Sequence, residues 1–326
     1  MTEPGPALVT GAAGFIGSGV AAALAAGAPV RAAYRNTPLP AALLDDRRIE
    51  PVRCDLDDPA EVRAAVAGAS LVVHAAYGPD AAMAPQCVRL LDAMSAEGVS
   101  ALIYLSSIAV YGERSGVVDE TAAPPGALGA YAQAKRACEA LVRDWAAAGP
   151  GRRALILRPG VVYGAGSRFW IDKMAERIRL GAWGSFGPAG EGVAPLVHVD
   201  DVVALVARAS RRLSDDAFKG APALNVIGPE TPSWNAYFAR LADALGAPPL
   251  RELSPATIAA RRAFAVPAKL WRRLGLSGLR SAALAPASGE LTLFALRASY
   301  PTDAAAGLLG FTPTIGLDEG LRRSLP

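Results

Sequence analysis

A phenol and an ammonium stand four residues apart in Tyr131-Ala132-Gln133-Ala134-Lys135. On a helix they share one face, one turn apart. A free tyrosine is a poor base, with a pKa of about 10. A nearby ammonium favours the phenolate, so Tyr131 can take a proton from an alcohol or return one to a carbonyl. Ser107 lies 24 residues earlier, at the end of a strand-like run. Its hydroxyl can hold the same substrate oxygen. Taken alone, the five-residue spacing describes equally well an exposed lysine beside a half-buried tyrosine.

A second motif decides between those readings. Thr10-Gly11-Ala12-Ala13-Gly14-Phe15-Ile16-Gly17 follows an apolar strand pattern and opens a helical one. Gly11 suits a tight turn and Gly14 a close backbone approach to a pyrophosphate. Gly17 suits close packing of helix on strand, and the helix N-terminus supplies positive potential. The spacing is GxxGxxG rather than the general GxGxxG. The loop points to a dinucleotide, and an oxidised nicotinamide would favour the Tyr131 phenolate further. Arg35 lies 18 residues beyond Gly17, where an acid would bind the ribose 2′-OH of NAD. Arginine suits a 2′-phosphate, which favours NADP(H) over NAD(H). The alternative is a solvated arginine in a loop. Asp55-Leu56 can contact the adenine, or Asp55 can be a plain helix cap.

These groups need a scaffold, and the apolar pattern supplies one. Strands are expected at 7–10, 30–34, 49–54, 70–75, 101–107 and 154–157, with 223–227 rejoining the sheet. Helices are expected at 18–26, 59–67, 85–96, 130–148, 168–180 and 200–213. This alternation predicts an α/β fold with a doubly wound, parallel sheet of Rossmann type. A smaller, mostly helical C-terminal substrate domain accompanies it. The expected division is 1–165 plus 196–228 for the dinucleotide and 166–195 plus 229–326 for the substrate.

Bulk properties narrow the classes. The chain has 326 residues, 33 basic and 30 acidic, with no basic run that suggests nucleic acid. Arg211-Arg212 and Arg272-Arg273 read as solvated faces. Cys54, Cys87 and Cys138 are far apart, which fits a reducing compartment and no disulfide framework. His74 and His198 lie in no spaced ligand cluster, so no metal site is expected. Met1-Thr2-Glu3-Pro4 lacks the features of a signal peptide, and no apolar run is long enough for a bilayer. A cytoplasmic protein without a membrane partner is expected.

The motifs together resemble the extended short-chain dehydrogenase/reductases, the NAD-dependent epimerase/dehydratase family. The matching segments are Thr10 to Gly17, Val73-His74-Ala75-Ala76, Leu105-Ser106-Ser107-Ile108-Ala109-Val110-Tyr111-Gly112 and Tyr131 to Lys135. Leu157-Arg158-Pro159-Gly160-Val161-Val162-Tyr163-Gly164, Val197-His198-Val199-Asp200-Asp201-Val202 and the 304–313 tail match as well. The resemblance implies Ser107, Tyr131 and Lys135 as a catalytic triad. It implies a cofactor cleft lined by Gly11, Ala13, Gly14, Phe15, Ile16, Ala75, Ala76, Pro159, Val161 and Val162. The substrate side is expected to draw on Tyr77, Ser107, Ala109, Phe169, Trp170 and Trp183, with Phe186 nearby. That aromatic segment suggests a lipophilic or aromatic carbonyl compound, or ordinary packing of a small domain.

Departures from the family pattern sharpen the expectation. The segment Met83-Ala84-Pro85-Gln86-Cys87 lacks the Asn of many relatives. Ser107-Ile108-Ala109 lacks the acid pair of sugar-nucleotide dehydratases, and Gly160 stands where many epimerases place a diphosphate-binding Asn. The motif after the sixth strand resembles the 3β-hydroxysteroid dehydrogenase and dihydroflavonol reductase branches. The expected function is hydride transfer between a nicotinamide and a carbonyl or alcohol. A nucleotide-sugar epimerase with tightly held NAD is the alternative, and a non-catalytic redox sensor ranks last. Relatives dimerise through the catalytic helix, and Leu141, Val142 and Trp145 suggest an apolar outer stripe for a homodimer here.

Overall fold

The computed structural model describes residues 5–124, 126, 128–215, 218–263 and 284–325. Arg272-Arg273 and the first four residues lie outside the described residues. In chain order the first elements are β1 (Ala7–Thr10), α1 (Phe15–Ala25), β2 (Val30–Tyr34), α2 (Ala41–Leu44) and β3 (Ile49–Arg53). Next come α3 (Pro59–Val66), β4 (Leu71–His74), α4 (Asp80–Ala96) and β5 (Ala101–Leu105). They are followed by β6 (Gly116–Val117), α5 (Ala130–Ala147), β7 (Arg153–Pro159), β8 (Val161–Tyr163), α6 (Lys173–Arg179), β9 (Leu196–His198) and α7 (Val199–Leu213). The remainder is β10 (Ala223–Val226), α8 (Trp234–Ala244), α9 (Pro255–Ala263), α10 (Ser288–Ala295), β11 (Ala298–Ser299), α11 (Asp303–Leu309) and α12 (Leu317–Ser324).

Seven strands form one parallel sheet in the order β10-β7-β5-β4-β1-β2-β3. Successive strand side chains point to opposite faces. Val9, Val73, Ile103 and Leu157 therefore enter one core with α1, α7 and α11. Leu8, Val72, Leu102 and Ile156 enter a second core with α3, α4 and α5. Helices on both faces explain why these strands are apolar throughout rather than alternating. β1 pairs with both β2 and β4. The strand order reverses there, and ligands bind open α/β sheets outside the carboxyl ends of strands at such a point.

A third core is rich in aromatic rings: Trp183, Phe186, Trp234, Tyr237, Phe238 and Phe294 pack together with aliphatic side chains such as Met174 and Ile178. Two small parallel sheets were not foreseen from the pattern. β8 pairs with β9, and β11 pairs with β6. Their strands of two or three residues are too short to register as periodicity.

Some boundaries moved. α4 begins at Asp80, with Pro85 inside it. The Ala81 carbonyl that Pro85 cannot satisfy belongs to an exposed residue, where water can take over. β5 ends at Leu105 instead of 107, because Ser107 turns to cap a short 3-10 helix at Ile108–Tyr111. The apolar stripe of α5 is spent inside the molecule: Val142 and Trp145 lie in the second core, with Leu141 packed against it. They form no outward seam.

Candidate active site

The glycine loop leaves β1 at the switch point. Gly11 has φ +72°, a conformation side chains rarely adopt, and a Cβ there would sit 2.7 Å from the Ala76 Cα. A Cβ on Gly17 would lie 2.2 Å from the Gly11 carbonyl oxygen. Both glycines are therefore dictated by close backbone approach, as the motif implied. Gly14 precedes α1, which has no side-chain cap and no acid in its first turn. Its opening N–H groups and positive potential fit the pyrophosphate of a dinucleotide.

Thr10 locks this crossing. The Ala76 N–H donates to Thr10 Oγ1 at 3.3 Å, and the Thr10 hydroxyl meets His74 Nδ1 at 2.7 Å. Burial lowers the His74 pKa to about 3, so the ring is neutral and Nδ1 can accept the Thr10 proton. His74 stacks on Tyr104 at 5.7 Å between ring centroids.

The proposed proton-transfer side chains converge at the carboxyl ends of β4 and β5. Lys135 is buried, donates to the Leu105 carbonyl at 2.6 Å, and lies 5.0 Å from the Tyr104 ring centroid and 6.0 Å from that of Tyr131. Burial pushes its pKa down to about 8, against the opposing pull of Cys138, Cys87 and Glu139. Tyr131 is half-buried. Burial raises its pKa, the neighbouring Ser107 hydroxyl lowers it, and Tyr77 and Asp80 raise it again. The net direction is upward, so the phenol carries its proton at neutral pH. Ser107 caps its 3-10 helix by accepting from the Ala109 N–H at 3.2 Å. The i, i+4 spacing thus places Tyr131 and Lys135 beside the strand-end serine.

A buried network fixes these elements, and only its Ser106, Tyr111 and Arg158 had featured in a sequence motif. Arg158 Nε and Nη2 donate to the two oxygens of Glu139 at 2.8 and 2.6 Å. Ser106 also donates to Glu139, at 2.7 Å. Arg158 Nη1 donates to the Tyr111 hydroxyl at 2.8 Å, and Tyr111 donates to Asn225 at 2.6 Å. β5, α5, β7 and β10 are thereby tied together. Burial opposes the Glu139 charge, but Arg158 and Ser106 hold its pKa below the usual range. One signal was available: Glu139 lies four residues after Lys135 on the same helical stripe.

The other expected residues fall into two groups. Ala13, Ile16, Ala75 and Val162 sit half-exposed along the edge of the first core, while Ala76 and Tyr131 edge the second. The Phe15 ring lies 3.8 Å from where a Gly166 Cβ would be. Ala109 is half-buried, Tyr77 is exposed and Phe169 is partly exposed with its ring against Trp170. Arg35 lies 3.8 Å from Asp55, both partly open to solvent.

Several expected residues point elsewhere. Trp183 and Phe186 are 4% and 3% exposed inside the aromatic core, so neither roofs a cleft. Val161 is buried in that same core and Pro159 is buried too, leaving Val162 as the half-exposed side chain of the stretch. Leu56 is buried in the second core. The helix cap is Asp58, which accepts from Ala60 and Glu61; Asp55 instead accepts from the Asp57 N–H at 3.1 Å. His198 caps α7 by accepting from the Asp200 N–H at 3.2 Å. Among the described residues, no group of three or more His, Cys, Asp or Glu side chains could hold a metal ion.

The model of the NAD dependent epimerase/dehydratase family matches residues 7–220. The chain belongs to this family. It is therefore an enzyme of an NAD-dependent dehydrogenase, reductase and epimerase family. It is 26% identical over 334 residues to the 2-alkyl-3-oxoalkanoate reductase of Stenotrophomonas maltophilia (strain K279a), covering 97% of each chain. It is 30% identical over 207 residues to protein YeeZ of Escherichia coli (strain K12), covering 62% of this chain and 68% of YeeZ. Its fold is similar to that of MoeE5 in complex with UDP-glucuronic acid and NAD. The TM-score is 0.73 at 26% identity, over 98% of this chain and 97% of MoeE5. Among the described residues, no helix is long and apolar enough to cross a membrane.

Proposed function

We propose that this enzyme reversibly reduces the carbonyl group of a small molecule, with NADP(H) as the preferred cofactor and NAD(H) as the lesser one. The observation that carries it is the nearness of Ser107, Tyr131 and Lys135 to one another beyond the carboxyl end of β5, with the phenol protonated. Gly11 and Gly14 would hold the pyrophosphate, and Tyr131 and Lys135 the nicotinamide ribose. A bound nicotinamide supplies the hydride for reduction. Ser107 donates a hydrogen bond to the carbonyl oxygen and orients it. Tyr131 delivers its proton to that oxygen as the carbon is reduced, and solvent then reprotonates Tyr131. The Lys135 ammonium stabilises the phenolate that is left. In the reverse direction the same groups remove the proton from an alcohol.

The full-length likeness to an oxoalkanoate reductase supports simple carbonyl chemistry. So does Gly160, where a Cβ would fall 2.1 Å from the Pro195 carbonyl oxygen and 2.7 Å from Ile227. No diphosphate-binding side chain can grow from that position. The partly exposed Arg35 supports a 2′-phosphate, for which it would exchange Asp55.

A nucleotide-sugar epimerase with retained NAD is the second reading, favoured by the likeness to a complex holding a UDP-sugar and NAD. The separate aromatic core supports the proposed substrate domain. Exposed Val88, Ala137 and Ala140 on α4 and α5 support a homodimer through those faces, and three free buried cysteines support a cytoplasmic setting.

The test is NADPH against NADH consumption over aldehydes, ketones and nucleotide sugars. NADPH-linked reduction that disappears in Tyr131→Phe is expected. Purification with tightly bound NAD and no net NADPH consumption would establish the epimerase instead, and a preference for NADH would overturn the role given to Arg35.

A further inference from the structure

We propose that Tyr77 selects the substrate, and that it selects a carbonyl compound with a planar unsaturated ring beside the carbonyl. The inference rests on the carbonyl-reductase reading above.

Tyr77 is 70% exposed, the most exposed aromatic side chain among the described residues. The large rings of the third core are buried, so exposure of this one is not the habit of the chain. Single exposed apolar residues are common on surfaces and need no explanation. Tyr77 differs because its ring meets the Tyr131 ring edge-on, 5.8 Å between centroids at 71°. It follows Ala76 directly, the residue against which the Gly11 turn packs. The reacting carbonyl must sit at Tyr131 and Ser107, so the group attached to it meets the open face of Tyr77. An aromatic ring gains more from such a face than its buried area alone provides, through offset or edge contact.

The experiment pairs an aryl methyl ketone with its cyclohexyl counterpart. KM is measured with NADPH. Binding is measured by calorimetry to the enzyme loaded with NADP⁺, where no turnover occurs. Tyr77→Ala is expected to weaken the aryl ketone about 2- to 12-fold while moving the cyclohexyl ketone less than about twofold. Tyr77→Phe is expected to keep the aryl preference. An equal loss for both ketones in Tyr77→Ala, or an unchanged ratio, overturns the proposal. A wild-type enzyme inert on every ketone removes the carbonyl-reductase reading itself, and the inference falls with it.

Discussion

Two buried arginine–glutamate pairs hold this molecule together, and they are not equivalent. Arg158–Glu139 lies between the sheet and the catalytic helix, with side chains 7% and 2% exposed. Arg177–Glu290 joins α6 to α10 beside the aromatic core, with side chains 3% and 8% exposed. Both are two-pronged, the second at 2.9 and 3.0 Å. Around Arg158 the polar atoms continue into Ser106, Tyr111 and Asn225. Around Arg177 the partners are fewer and local: Glu290 also accepts from Lys173 at 3.1 Å and from the Ala287 N–H at 2.8 Å, while the guanidinium lies 4.1 Å from the Trp183 ring centroid and Arg177 Nε and Trp183 Nε1 have no hydrogen-bond partner. A buried pair is costly to assemble and harmful to break, and replacing it with apolar residues is often harmless. The first pair is embedded in a network that ties α5, which carries Tyr131 and Lys135, to the sheet. The second is a staple between α6 and α10 beside one core.

That difference can be broken experimentally. Glu139→Gln should destabilise the protein by about 3–5 kcal/mol and also lower kcat of the folded fraction, measured by denaturant titration and initial rates. Glu290→Gln should cost a similar amount of stability yet leave the kcat of the folded fraction within about twofold. Equal losses of kcat would erase the distinction. Both glutamates have depressed pKa values, so the stability each contributes is complete above the ordinary glutamate range and is lost as pH falls through the depressed value.

Lys135 sharpens the comparison, because its buried ammonium donates to a carbonyl and not to a carboxylate. Its folded pKa of about 8 lies below the ordinary lysine value of 10.5, so the unfolded chain holds more protons between those values. Stability should therefore rise with pH across that window. Lys135→Met should remove the rise and stabilise the protein at pH 7 by roughly 1–3 kcal/mol, while activity falls on the order of 10²-fold or more. Thermal melts at pH 7 and pH 9.5 check it; a variant less stable than wild type at pH 7 would refute the lone-charge account. The smallest effect belongs to Asp58→Ala, which removes the α3 cap and should cost about 1 kcal/mol without changing kcat.

The chemistry of the site was more legible than its support. Tyr131 and Lys135 declare themselves by local spacing, and Gly11 and Gly17 by an unbroken motif, because helix and turn geometry act over a few residues. Tyr111 and Asn225 are 114 residues apart, and no local pattern links them. The aromatic segment misled for a related reason. Trp183 in a cleft and Trp183 in a core have the same neighbours in sequence, and only the packing of α8 and α10 against it decides. Val142 and Trp145 failed as an outer stripe because an apolar helical face does not say which partner covers it.

The three cysteines carry a practical consequence. Cys54, Cys87 and Cys138 are all free, all buried and all in the second core, on the face of the sheet covered by α3, α4 and α5. The first core, on the opposite face, contains none of them. A thiol-reactive dye can reach them only when that layer lifts, so its rate of incorporation is a clock for the breathing of one side of the molecule. The native chain thus carries its own face-selective reporter of motion, with one thiol, Cys138, on α5 itself.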